Sequence, residues 1–168
     1  MNPSDVQFLF DYNDWAWNKL LDRMEALDEA QLDAQPWTLP SLRRILVHAL
    51  GAEIVWPARM QGDSPTAMLT VEEVPTLADV RARWREVAAA RRAFIAGLTQ
   101  DDLDGTIHYK TTRGQPQQET LWRLLAHLVN HGTQHRSEAA ALLTEFGHSP
   151  GDLDMIVYLR ERQAATSL

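Results

Sequence analysis

The chain has 168 residues, 45% of them hydrophobic, and carries a formal charge of −7, enough length and apolar content for one domain with its own core. It contains no cysteine, which excludes disulfides, thiolate metal sites and cysteine nucleophiles. The acidic balance argues against nucleic acid as a partner, no apolar run approaches a membrane span, and the opening Met1-Asn2-Pro3-Ser4-Asp5 lacks a secretory pattern, so a cytoplasmic protein is expected.

No internal repeat or long linker divides residues 1–168, which read as a single domain. The first helix is expected from Pro3, suited to an opening position, to Leu27. Its stripe is Leu9, Ala16, Leu20, Met24 and Leu27, with Asn13 inside it. The segment 34–40 is a loop, interrupted by Pro36 and Pro40. Ser41 then starts a second helix reaching Met60. Between Ile45 and Trp56 its ionisable residues are His48 and Glu53 alone. Such a helix, apolar nearly all round, predicts an interior position for His48. Gly62 to Pro75 reads as a connection, and Thr76-Leu77-Ala78-Asp79 resembles a capping box with Asp in the place of Glu. The third helix uses Leu77, Val80, Trp84, Val87, Ala88 and Leu98 and ends near Thr99. The arginines at Arg43-Arg44 and from Arg81 to Arg92 are spaced like solvated helix faces. Thr106 to Gly114, β-branched and aromatic with a glycine turn, predicts a short hairpin or extended crossover. The fourth helix spans Glu119 to Phe146, stopped by Gly147, and Asp152 is placed to cap a short last helix to Arg162. The expected fold is all-α: an antiparallel four-helix bundle with a short hairpin or extended crossover before the fourth helix and a short C-terminal helix.

The chemistry concentrates on the fourth helix. His131 and His135 differ by about 40° around the axis and lie one turn apart, so their imidazoles can converge on one ion at about 2.0–2.1 Å. His127 shares this face, and spacing alone leaves His127–His131 open beside His131–His135. Leu124, Leu128 and Leu142 flank the histidines. Buried polar groups without partners cost about 1–3 kcal/mol each, and a metal would satisfy several at once. A lone His48 is more often a hydrogen-bonded core histidine than a ligand. Glu138 has four readings: a fourth ligand, a carboxylate orienting an imidazole, a catalytic base, or a partner of Arg136. His108 and His148 lie in turn-like, solvated surroundings. The H-E-x-x-H, G-x-S-x-G, phosphate-loop and Glu-x-x-His templates are absent.

Tyr12-Asn13-Asp14-Trp15-Ala16-Trp17-Asn18, Ser41-Leu42-Arg43-Arg44-Ile45-Leu46-Val47-His48 and His127-Leu128-Val129-Asn130-His131-Gly132-Thr133-Gln134-His135-Arg136 together resemble the DinB superfamily of damage-inducible, YfiT-like metalloprotein bundles. Leu142 to Gly147, then Asp154 and Tyr158, fit the same family's C-terminal pattern, so the resemblance covers nearly the whole chain. It implies His48, His131 and His135 as the ligands of one divalent transition metal, with His127 outside the ligand set. Asn13, His127 and Arg136 become candidates for lining the pocket or orienting the ligands, and Glu138 the candidate catalytic group. The family often follows its last ligand with Arg-Gly-Gln; here Arg136 is kept, while Ser137 and Glu138 replace the rest. Imidazole ligands suit zinc, nickel, iron or copper, with zinc or nickel expected first and manganese kept as a further candidate. The resemblance further implies a metal-dependent hydrolase or a transferase using a low-molecular-weight thiol, acting on a small-molecule substrate as a homodimer. The alternative is a non-catalytic stress-response protein with a structural ion.

Overall fold

The computed structural model describes residues 1–166. Helix α1 (Pro3–Met24) starts from a reciprocal cap: the Asp5 amide donates to the Asn2 side chain at 3.0 Å, and the Asn2 amide to the Asp5 carboxylate at 2.9 Å. The same device opens α2 (Glu29–Asp33) at Asp28, α4 (Leu77–Ala96) at Thr76 and α5 (Gln100–Asp104) at Thr99. Ser41 caps α3 (Leu42–Met60) through the Arg44 amide. The two short helices escaped the periodicity because five residues hold barely one repeat of it. Strands β1 (Thr106–Lys110) and β2 (Pro116–Thr120) form an antiparallel hairpin pairing Thr106 with Thr120 and Lys110 with Pro116. Helix α6 (Leu121–Glu145) and α7 (Met155–Thr166) complete the chain.

Several boundaries move, each for a local reason. Helix α1 stops at Met24, short of Leu27, and α4 at Ala96, because Thr99 caps α5 instead of continuing the third helix. Glu119 and Thr120 belong to β2, so the fourth long helix starts at Leu121. The last helix is capped by Asp154, whose carboxylate accepts from the Ile156 amide at 2.9 Å; Asp152 instead accepts from the Asp154 amide. The connection after α3 contains a 3-10 turn at Val71–Glu73.

The long helices α1, α3, α4 and α6 form the bundle. Helix α3 packs on α6 and α4, and α1 packs on α6 and α4, which sets the sequence neighbours α1 and α3 diagonally across it. The core has two main clusters, one at each end. One gathers Trp17, Leu20, Met24, Leu42, Leu46, Leu50, Val80, Trp84 and Leu142. The other gathers Val6, Phe10, Ala52, Met60, Ile95, Leu121, Leu125 and Leu128. Following each helix from one cluster to the other gives its direction. Helices α3 and α6 are antiparallel, as are α1 and α4, while α1 runs with α6 and α3 runs with α4. Parallel neighbours need a connection that returns along the bundle; residues 61–76 supply it, lying close enough on α3 that a Cβ at Gly51 would meet Met68 Cε at 3.0 Å.

Two expectations about burial are corrected. His48 is exposed, on the face of α3 beside α6, and the buried ionisable residue of that helix is Glu53, 2% exposed. Arg43 and Arg91 are interior rather than solvated: Arg43 pairs with Asp33 and Glu29, and Arg91 with Glu53 and Asp14. Isolated spacing could not reveal this, because their acidic partners sit on other helices. Among the described residues, no helix is long and apolar enough to cross a membrane.

Candidate metal centre

Antiparallel packing of α3 on α6 brings His48 against the successive turns that carry His131 and His135. Their Nε2 atoms converge: His48 to His131 at 3.2 Å and His131 to His135 at 3.1 Å. One ligand nitrogen from each residue lies within 4.8 Å of the others, the one such histidine or acidic grouping found among the described residues. Donors held tetrahedrally at about 2.05 Å from an ion stand about 3.3 Å apart, so the observed spacing fits a shared cation. His48 is exposed and the other two are half-buried, which puts the cluster at the bundle surface.

Hydrogen bonding orients one of the rings. His135 Nδ1 lies 2.6 Å from Glu138 Oε2, one helical turn further along. A carboxylate only accepts, so the proton sits on Nδ1 and the lone pair on Nε2, facing the cluster. Gln134 Nε2 donates to the other Glu138 oxygen at 3.2 Å. Burial pushes the His131 pKa down to about 4, helped by the neighbouring His135, His48 and His127. His48 is lowered by burial of its inner edge and by His135. Both rings are therefore neutral near pH 7 and present lone pairs.

The remaining candidates separate. His127 stands one turn before His131, with ring centroids 5.9 Å apart, and packs edge-on against Trp56 at 4.9 Å. Its nitrogens are not among those that converge. Asn13 and Arg136 lie behind the cluster in the interior. Arg136 donates to Asn13 Oδ1 and to Thr133 Oγ1, and Asn13 Nδ2 donates to Glu53 Oε1 at 3.0 Å. The Arg136 guanidinium also packs on the rings of Tyr12 and Trp17. It thus faces α1 and does not pair with Glu138. Glu53, pushed up by burial against the pull of Arg91 and Asn13, is a buried carboxylate that sequence reading did not place. His108 is exposed as expected, whereas His148 is half-buried. Trp56 packs on His127 and Tyr109, and Arg59 lies over the Trp56 and Tyr109 rings; Arg59 was missed, although residues 48, 52, 56 and 59 share one helical stripe.

A helical bundle with three imidazoles from two antiparallel helices meeting at its surface defines a histidine-cluster bundle. The chain belongs to the DinB family, whose family model matches residues 1–165. It is 25% identical over 169 residues to Protein DinB of Bacillus subtilis (strain 168), covering 93% of this chain and 95% of that protein. Its fold is similar to that of YfiT from Bacillus subtilis, described as "a probable metal-dependent hydrolase with an unusual four-helix bundle topology". That likeness has a TM-score of 0.61 and 18% identity, and covers 86% of each chain.

Proposed function

We propose that His48, His131 and His135 hold one divalent transition metal and that the protein is a metal-dependent enzyme acting on a small molecule, with hydrolysis as its reaction class. The carrying observation is the convergence of three Nε2 atoms at a surface where His48 is exposed. A structural ion is usually closed by four protein donors, whereas three protein donors leave further coordination to solvent or substrate. When bound, the ion supplies Lewis acidity, which polarises a substrate carbonyl or makes an oxygen or sulfur nucleophile available near neutral pH. The hydrolase description of the YfiT neighbour supports the same class. Zinc and nickel suit the all-imidazole donor set best, with iron, manganese and copper as further candidates.

Within this reading Glu138 orients His135: its two oxygens are engaged by His135 and Gln134, which leaves it poorly placed to take a proton from substrate. His127 and Trp56 form the wall along which a substrate approaches. The test is elemental analysis of protein purified without a polyhistidine tag, followed by turnover of a panel of small esters and amides. About one metal per chain is expected, with turnover abolished by chelation and restored by the metal. His131→Ala should lose both metal and activity; a variant with wild-type metal content overturns the assignment. Running the panel with and without a low-molecular-weight thiol separates hydrolysis from thiol transfer.

A further inference from the structure

Arg59 differs from the other buried arginines. Arg43 has Asp33 and Glu29, Arg91 has Glu53 and Asp14, and Arg136 has Asn13 and Thr133. Arg59 is 6% exposed and its Nε, like that of Arg91, is buried without an acceptor; unlike Arg91, its guanidinium has no carboxylate or hydrogen-bond partner among the described residues. Its neighbours are aromatic faces: the guanidinium carbon lies 4.9 Å from the Trp56 ring centre and 5.6 Å from that of Tyr109. Desolvating a cation is costly, and cation–π contact returns only part of that cost. The fork is thus held ready for an oxyanion, the partner a guanidinium binds best.

The position of this cation gives it a use. Trp56 contacts Tyr109 at 5.5 Å and His127 at 4.9 Å, and His127 stands 5.9 Å from His131. Trp56 and Tyr109 are half-buried and His127 is exposed, so an accessible aromatic wall runs from the histidine cluster to Arg59. Eleven residues separate His48 from Arg59, about 16 Å of helix. Both side chains lean toward the same helix end, so their functional groups are about that far apart, and a substrate bridging them must be elongated.

We propose that Arg59, Trp56, Tyr109 and His127 form a subsite for the oxyanion of the substrate, a carboxylate or phosphate, whose flat body lies along Trp56 and His127 with its reacting bond at the histidines. The placement of the reacting bond rests on the metal-enzyme reading; the anion subsite does not.

The test therefore uses metal-stripped full-length protein. Naphthalene-2-carboxylate and 2-naphthyl phosphate are titrated calorimetrically beside the neutral naphthalene-2-carboxamide. At least one anion should bind tenfold or more tighter than the amide, and the better of the two identifies the oxyanion. Arg59→Gln should abolish the preference while keeping wild-type metal content, and His131→Ala should keep the preference while losing the metal. Equal binding of acid and amide to the wild type overturns the proposal, as does an undiminished preference in Arg59→Gln. Loss of metal together with anion preference in Arg59→Gln also overturns it, because the arginine would then act through the fold. A wild-type measurement stands independently of that variant's folding. The Trp56 indole N–H signal, assigned with Trp56→Phe, should shift saturably with the anion and not with the amide; an unmoved signal counts against the subsite.

Discussion

At His135 the two ring nitrogens have different tasks, and Glu138 divides them. With the proton held on Nδ1 by the carboxylate at 2.6 Å, Nε2 is left to face the cluster as a donor, and the carboxylate fixes the orientation of the ring. Orienting partners of this kind are worth about 10–100-fold in metal affinity. Glu138→Ala should therefore weaken metal binding by that factor, read by competition with a chromophoric chelator. Glu138→Gln, which keeps an acceptor oxygen but not the charge, should fall between the two. The melting temperature of the metal-free protein should move little, since Glu138 is only half-buried and sits outside the apolar clusters. An unchanged affinity in Glu138→Ala would remove the carboxylate from any role at the site.

Between elements, the α1–α6 contact decides whether His131 and His135 are held in place. Gly132, between them, lies where α6 meets α1. A Cβ there would stand 2.7 Å from Asn13 Oδ1 and 2.9 Å from Arg136 Nη1, in the middle of the buried polar chain running from Arg136 through Asn13 and Glu53 to Arg91. Gly132→Ala should thus cost about 1–3 kcal/mol, the usual scale of overpacking, read as a lower urea midpoint. Loss of metal affinity should accompany it, because displacing α6 moves two of the three imidazoles. This region also marks where sequence reading stopped. The i, i+4 spacing of His131 and His135 and the apolar length of α3 are local patterns, so both helices and the candidate ligands were legible, although choosing His135 over His127 needed the family resemblance. Asn13, Glu53, Arg91 and Arg136 find partners 38 to 123 residues away, and no periodicity encodes such pairings. His48 was misplaced for the same reason: α3 is apolar on most sides, and only its packing against α6 shows which narrow strip faces water.

Across the whole molecule, the apolar clusters at the two ends of the bundle assemble without any of the three histidines, and both are tied together by α1, α3, α4 and α6. The histidine cluster bridges α3 and α6 alone, a pair already packed along their length. Removing the ion should leave a folded, cooperative bundle whose loss is limited to ligand linkage. At free metal a hundredfold above its Kd, linkage contributes about 2.7 kcal/mol. At about 2–4 °C per kcal/mol for a chain of this size, adding metal should raise the Tm of the stripped protein by about 5–10 °C, and should leave that of His131→Ala unmoved. A structural staple behaves differently: the stripped chain would lose its cooperative melt and its near-ultraviolet circular dichroism. Scanning calorimetry with and without chelator distinguishes the outcomes, and a cooperative metal-free melt favours an ion retained for chemistry, since the packing of α3 on α6 already supplies what a staple would add.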